Sequence, residues 1–455
     1  MSFRGLMVSV SGIRGRVGEG LTPEIVARYA AGFGAWVRSR GGRTVVVGRD
    51  SRVSGPMFQR VVLSGLQSVG IDAIEVGMAP TPTIQLAVEH HHAGGGLAIT
   101  ASHNPVEWNA LKFIGPSGLF LDASDGAAMR EIADGEIPRA QWSDLGAITA
   151  DDEAVARHLN AVLSLPFIDV DGLRRRRFRV ALDCVHGAGA VIMPQLLEAL
   201  GCEMVAIGME PDGRFPRPPE PVPENLGDLE RLVRETRADI GLATDPDVDR
   251  LALVSDAGKA IGEDYTLALA ARLVLRHRSG PVVANLSTSR ILDDVAAEAG
   301  RKVIRAPVGE VNVALRMQRE GAAIGGEGNG GVILPEIHLG RDAPVGVALV
   351  LQMLLESDEP LSAVIGRYPR YSIVKDKLDR PEAPLDSVYS ALRSEFADAD
   401  ADTQDGLRLA WKDRWVHVRP SGTEPIVRVI AEAPTAGDAR ELVSRSRVPL
   451  DALAR

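Results

Sequence analysis

The chain has 455 residues, enough for roughly two to four domains. Its 45% hydrophobic and 25% charged residues fit a globular protein in water. The excess of 61 acidic over 51 basic residues, a net charge of -10, excludes a broad nucleic-acid binder, which must neutralise phosphates with Lys and Arg. Small phosphorylated ligands stay open, because a local basic site fits inside an acidic protein. Only Cys184 and Cys202 occur, so no disulfide framework is expected and a reducing compartment is implied.

The opening "MSFRGLMVSVSGIRG" lacks the long apolar core of a signal peptide. "SGIRGRVG" then reads as a glycine-rich loop carrying Arg14 and Arg16. "RTVVVGRDSR", from Arg43, is a β-branched run with Arg49 and Arg52 close to Asp50, which surface salt bridging accounts for. A helical stretch "MFQRVVLSGLQSVG", a strand "IDAIEVG" and the apolar run of "GLAITASHNP" follow. The same order returns from Phe178 with "FRVALDCVHGAGA", "VIMPQLLEALG", "CEMVAIG" and "DIGLATDPDVDR". It returns again from Gly280 with "GPVVANLSTSR", "ILDDVAAEAG", "KVIRAPVG" and "GAAIGGEGNGG".

Each copy reads strand, loop, helix, strand, helix, then a strand with a polar or glycine-rich tip. Such alternation predicts parallel sheets with crossover helices, and ligands gather beyond the carboxyl ends of their strands. "VGVALVLQMLL" near Val345 is too short to span a bilayer and predicts a buried helix, so no membrane partner is expected and the protein is placed in the cytoplasm. The remaining "RYSIVKDKL" and "LRLAWKDRWVHVRPSGTEPIVRVIAEA" alternate as strands before the helix "AGDARELVSRSR". The expected fold class is α/β: three similar domains with mixed or parallel sheets, spanning 1–150, 151–256 and 257–367, and a smaller α+β domain, 368–455, around a central cleft.

Four loops carry chemistry. In "TASHNP", Ser102 at a strand tip suits a nucleophile or phosphate carrier, with His103 and Lys112 as local base and cation; an ordinary turn is the alternative. In "TDPDVDR", the alternating Asp245, Asp247 and Asp249 can face one point and suit Mg²⁺, since carboxylates this close repel without a cation. An EF-hand would need a glycine where Arg250 stands. In "GGEGNGG", glycines permit close backbone approach, Glu327 can accept from two sugar hydroxyls, and Asn329 adds donors; the spacing is not a dinucleotide fingerprint. In "RPSGTEP", Arg419, Ser421, Gly422 and Thr423 form an anion cradle, or else a tight hairpin turn.

These four loops, in this order across the whole chain, resemble the α-D-phosphohexomutase superfamily. The resemblance implies four domains around a cleft, a required Mg²⁺, a phosphoserine at Ser102, and a bisphosphorylated hexose as activator. It implies that Asp245, Asp247 and Asp249 hold the metal with a phosphoserine oxygen, that Glu327 binds sugar hydroxyls, and that the Arg419 loop holds the non-reacting phosphate. Arg14, His103, Lys112 and Arg250 match residues around the transferred phosphoryl group.

Pro246 replaces a common glycine of the metal loop. Asn329 replaces a serine of the sugar loop, and Gly331 stands where a histidine is frequent, with His338 of "EIHLGRDAP" as a substitute imidazole. "APVGEVNV" and "VEWNALKF" resemble the phosphoglucosamine mutase group. The expected reaction is therefore interconversion of glucosamine 6-phosphate and glucosamine 1-phosphate, with phosphomannomutase/phosphoglucomutase activity as the alternative. The partners expected are hexose phosphates, and the state a monomer or homodimer. A serine-type sugar phosphatase would release free phosphate instead, and a non-catalytic sugar-phosphate sensor would carry no phosphate on Ser102.

Overall fold

A computed structural model describes residues 5–421 and 426–453. The first unit holds a seven-stranded sheet built from β1 (Met7–Val8), β2 (Gly12–Arg16), β3 (Thr44–Arg49), β4 (Asp72–Met78), β5 (Gly95–Ile99), β6 (Trp108–Ile114) and β7 (Ile148–Ala150), in the spatial order β1-β2-β6-β5-β3-β4-β7. The second sheet comprises β8 (Arg179–Asp183), β9 (Glu203–Ile207), β10 (Ile240–Thr244) and β11 (Leu251–Ser255), ordered β11-β10-β8-β9. The third comprises β12 (Val282–Asn285), β13 (Val303–Ala306), β14 (Ile324–Glu327) and β15 (Gly331–Ile333), ordered β13-β12-β14-β15.

The three copies foreseen in the sequence share one topology. In each, the first strand lies between the second and third and runs parallel to both. Two helices make the crossovers, Gly55–Gln67 and Thr81–His90 in the first copy. Of the mixed or parallel sheets expected, the structure has the mixed kind. In every copy the fourth strand runs antiparallel to the third: β6 to β5, β11 to β10 and β15 to β14. The three chemical loops are therefore the connections that reverse the chain at those points. The third strand of each copy is wholly buried, so its polar tip begins where the chain leaves the core.

One correction concerns Arg14 and Arg16. They lie not in a loop but on β2, which pairs antiparallel with β6. The glycines around them permit close packing rather than turning: a Cβ on Gly12 would sit 2.6 Å from the Leu111 carbonyl oxygen, and one on Gly15 2.9 Å from the Leu21 nitrogen. The register sets Arg14 opposite Ala110 and Gly12 opposite Lys112. Arg14 and Lys112 are thus diagonal neighbours on one face of the sheet.

The fourth unit is an antiparallel sheet of β16 (Ser372–Asp379), β17 (Asp400–Asp402), β18 (Leu407–Ala410), β19 (Trp415–Pro420) and β20 (Ile426–Ala433), ordered β16-β20-β19-β18-β17. It packs against helices Leu385–Glu395 and Ala436–Leu453 around its own apolar cluster, which includes Val388, Leu392, Val416, Val429 and Leu442. The second and third units instead share a single apolar core, running from Leu159 to Tyr368. At its centre lies the helix Ala343–Ser357, buried from Ala343 to Leu354 as the apolar run predicted. Asp342 caps this helix by accepting from the Val345 N–H at 3.0 Å, which satisfies a donor the first turn would otherwise leave bare. A shared core fixes the metal and sugar loops relative to each other, because close-packed interiors yield little. Among the described residues, no helix is long and apolar enough to cross a membrane.

Candidate active site

The tips of the first two copies meet directly. Ser102 is buried and lies at φ +47°, a left-handed conformation that costs a non-glycine residue about 1–3 kcal/mol. Its Oγ–H donates to Asp245 Oδ2 at 2.7 Å and lies 3.2 Å from His103 Nδ1. Lys112, on β6, donates from Nζ to Asp247 Oδ2 at 2.7 Å and sits 3.6 Å from Asp249 Oδ2. Thr81 also donates its hydroxyl to Asp247 Oδ2 and its backbone N–H to the Asp247 carbonyl.

What holds the serine in that conformation is Arg52, and here the surface salt bridge read from the sequence is wrong. Arg52 is fully buried. Its Nε donates to Asp50, one terminal nitrogen to the carbonyls of Pro105 and Trp108, and the other to those of Ser102 and Asn104. Asp50 closes the ring by accepting from the Thr100 hydroxyl, which itself accepts from the Ser102 N–H. The guanidinium is a template on which the serine loop is wound. The motif "GRDSR" names these residues but not the carbonyls fifty positions away that bury them.

Asp245, Asp247 and Asp249 are each at most 1% exposed, and one ligand oxygen from each lies within 4.8 Å of the others. Burial and the two neighbouring carboxylates push Asp245 well above the ordinary carboxylate range. Burial also opposes the Asp247 anion, but Lys112 together with hydrogen bonds from Asp245 and Thr81 holds that group low. Asp247 Oδ1 and Asp249 Oδ1 are buried with no hydrogen-bond partner among the described residues. Buried carboxylate oxygens left bare in this way fit a divalent cation, and an all-oxygen donor set suits Mg²⁺.

Around this centre, burial works against the Lys112 ammonium, yet Asp247 and Asp249 hold its pKa above the usual value. His103 is pushed well down, first by burial and then by Arg250, so it stays neutral near pH 7. Arg250 donates to Glu220 Oε1 at 3.0 Å, and His103 Nε2 lies 4.0 Å from the same oxygen. Glu220, in the proline-rich segment after β9, had no signal in the sequence beyond its charge.

The third copy joins through Arg341, which sequence reasoning did not single out. It donates at 2.6 Å to Asp249 Oδ2 and at 2.6 Å to Glu327 Oε2. Glu327 is 3% exposed, and its Oε1 accepts from Asn285 Nδ2 at 2.8 Å and the Gly309 N–H at 3.0 Å. Burial opposes its charge, but Arg341 together with the Asn285 and Gly309 hydrogen bonds and Arg250 holds the pKa below the usual range. Asn329 Nδ2 stands 3.5 Å from Glu327 Oε2, the longest of these approaches and the one a sugar hydroxyl would most readily replace.

His338 does not face the site. Its Nε2 bonds Asp342 Oδ2 at 3.0 Å beside His158 Nε2, its Nδ1 accepts from the Gly340 N–H, and its side chain is 1% exposed. One ring nitrogen holds the capping Asp342 and the other the Gly340 N–H of the preceding loop, so the substitute imidazole expected there has both nitrogens engaged inside the protein.

In the fourth unit, Arg419 pairs with Asp405 at 2.9 Å, and Asp405 accepts from the Val308 N–H of the third unit. Ser421 bonds the Ile426 carbonyl through its backbone N–H. Gly422 and Thr423 lie outside the described residues.

A buried serine hydroxyl, an acidic triad and a buried carboxylate on three repeated folds fit a phosphate-transferring mutase. The chain matches, in order, all four phosphoglucomutase/phosphomannomutase domain families: α/β/α domain I over 6–138, domain II over 156–258, domain III over 262–371 and the C-terminal domain over 374–447. It belongs to the phosphoglucomutase/phosphomannomutase family of α-D-phosphohexomutases and is an enzyme of that class. It is 39% identical over 442 residues to a Methanopyrus kandleri protein named probable phosphoglucosamine mutase, with 96% of each chain covered. It is also 39% identical over 445 residues, again 96% of each, to the phosphoglucomutase/phosphomannomutase of Thermococcus kodakarensis. A solved phosphoglucomutase/phosphomannomutase family structure from Burkholderia thailandensis superposes with a TM-score of 0.85 at 27% identity, covering 98% of each chain.

Proposed function

We propose that this enzyme interconverts glucosamine 6-phosphate and glucosamine 1-phosphate through a phosphoserine at Ser102 and a bisphosphorylated sugar. The observation that carries the reading is the Ser102 hydroxyl, 2.7 Å from the first aspartate of a buried triad. Phosphorylated Ser102 passes its PO₃ group to the free hydroxyl of the sugar monophosphate, and that hydroxyl's proton leaves as the new P–O bond forms. The bisphosphate turns within the cleft and its other phosphate returns to Ser102, which restores the enzyme. Such transfers depend on positioning and on neutralising charge. Asp245, Asp247 and Asp249 would hold Mg²⁺, which when bound would offset charge on the phosphoryl oxygens.

This chain's own groups divide the remaining work. His103, neutral near pH 7 and beside the serine oxygen, is placed to take or return the proton. Lys112, kept protonated by two aspartates, acts as a fixed positive charge. Arg14 and Arg250 add cations for the transferred group. Glu327 and Asn329 bind sugar hydroxyls, and Arg419, Ser421, Gly422 and Thr423 grip the phosphate that is not reacting.

Glucose and mannose phosphates are the second reading, favoured by the equal identity to the Thermococcus kodakarensis enzyme. Measuring kcat/KM side by side for glucosamine-, glucose- and mannose-phosphates decides between them; a preference of tenfold or more for glucose or mannose would overturn the glucosamine assignment. A cytoplasmic location and an activating hexose bisphosphate belong to the same proposal.

A further inference from the structure

We infer that Arg341 is a positioning residue that couples the metal loop to the sugar loop, an inference that rests on the metal and sugar roles proposed above. Its base is rigid. The adjacent Asp342 N–H donates to the Val332 carbonyl on β15 and the Ala343 N–H to the Val248 carbonyl inside the metal loop. From there the guanidinium, 11% exposed, reaches carboxylates on three segments: Asp249 and Glu327 at 2.6 Å each, and Glu310 through Nε at 3.0 Å. Glu310 in turn accepts from Gln85 on helix Thr81–His90 of the first unit. Among the described residues, Asp249 and Glu327 share no bond of their own, and Arg341 is what joins them.

Each carboxylate is thereby restricted to one orientation. Arg341 takes Asp249 Oδ2, so Oδ1, which accepts no hydrogen bond among the described residues and has Arg250 Nε 3.9 Å away, is the oxygen offered to a cation. It takes Glu327 Oε2 on the side that Asn329 also approaches. Groups one bond removed from a metal ligand commonly set that ligand's orientation and alter metal affinity by about 10–100-fold. A planar fork that holds two acids does this for both loops at once.

Gly331 supports the assignment independently. A Cβ at this position would overlap Arg341 Cδ and lie 2.9 Å from Arg341 Cγ. The glycine that departs from the family pattern is what admits the arginine. The two residues form one device, and a change at either should disturb the other.

Because Arg341 divides its charge among three acids, neutralising Glu327 leaves it to Asp249 and Glu310, and the larger share on Asp249 competes with the cation. The test is the dissociation constant of Mn²⁺, followed by electron paramagnetic resonance, in the full-length enzyme and in E327Q, R341M and the double variant. The expected result is that E327Q weakens Mn²⁺ binding about fivefold or more when Arg341 is present and less than about twofold when it is absent. R341M alone should also raise KM for glucosamine 1-phosphate. G331A, which keeps every charge, should reproduce the loss of coupling and remains informative where R341M folds poorly. Equal shifts in both backgrounds, or none in either, would overturn the inference while leaving the metal site intact. A wild-type enzyme showing no Mn²⁺ binding sensitive to D247N would overturn the metal reading itself.

Discussion

Replacing Arg52 tests whether the serine loop is held by its own turn chemistry or by a distant scaffold. Ser102 sits at φ +47°, which relaxed chains avoid at a cost of about 1–3 kcal/mol. Arg52 opposes that relaxation by donating to the carbonyls of Ser102, Asn104, Pro105 and Trp108. In R52M the Asp50 carboxylate is left buried without its cation, a loss worth about 3–5 kcal/mol. That is a large part of a typical stability, so melting must be measured alongside activity. R52K is the sharper probe. An ammonium has three donors where the guanidinium uses five, so Asp50 keeps a partner while carbonyls of the loop lose theirs. A serine oxygen displaced by about 1 Å costs on the order of 100-fold in rate, and R52K is expected to lose that much kcat while melting close to the wild type. The assay is kcat at saturating sugar phosphate, with intact-mass measurement of phosphate on the Ser102 peptide. An R52K enzyme with undiminished kcat would refute the scaffold argument.

Ser102→Ala should abolish turnover while leaving sugar-phosphate binding largely intact, as read by calorimetric titration; residual turnover would remove Ser102 as the phosphate carrier. A chelator should abolish activity and Mg²⁺ should restore it, whereas D247N should resist restoration because Lys112 loses the nearer of its two anionic partners along with the metal. His417 offers a pH test of how the fourth unit docks. Burial depresses its pKa to about 4, and it bonds Ser287 of the third unit and the Asp405 carbonyl. The folded state therefore holds it neutral while the unfolded chain takes up a proton below about pH 6.5. Stability is full above that pH and falls as pH drops toward 4, by about 2 kcal/mol between pH 7 and pH 5. Thermal melts of H417Q should lack this component, and an unchanged pH slope would show that the histidine does not report docking.

What the sequence made legible was whatever depends on neighbours along the chain. β5 is an apolar run that stops at turn residues, so Ser102 could be placed at a strand tip from "GLAITASHNP" alone. The three repeats and the central helix were legible for the same reason, since the period of apolar residues is local. The helix Leu385–Glu395 carries a comparable stripe, with Val388 and Leu392 buried four apart, and could have been read from it. What escaped depends on partners far away. Arg52 and Arg341 look like surface arginines until distant carbonyls and carboxylates enclose them. Glycines mislead in the same manner: around Arg14 they allow strands to approach, and at Gly331 one makes room for a guanidinium.

These hidden residues have a common logic. Ser102, the three aspartates and Glu327, all legible in the sequence, each sit at a chain reversal that a four-stranded repeat provides. Reversals are short and could relax independently. Arg52 ties the serine reversal to the first unit's own scaffold, Arg341 ties the metal reversal to the sugar reversal, and Lys112 with Thr81 ties the first unit to the metal reversal. Each tie is a buried cation or hydroxyl on an acid or carbonyl, where a missing partner is expensive and alternative geometries are therefore rare. The fourth unit has its own core and meets the third through polar bonds, Asp405 to the Val308 N–H and His417 to Ser287. Polar bonds of this kind can be exchanged for water at little net cost, whereas separating the shared core of the second and third units would expose apolar surface. On the reaction proposed above, a sugar bisphosphate that turns without leaving would need one fixed wall and one that yields. By this difference in bonding, the second and third units would form the wall and the fourth the part that yields.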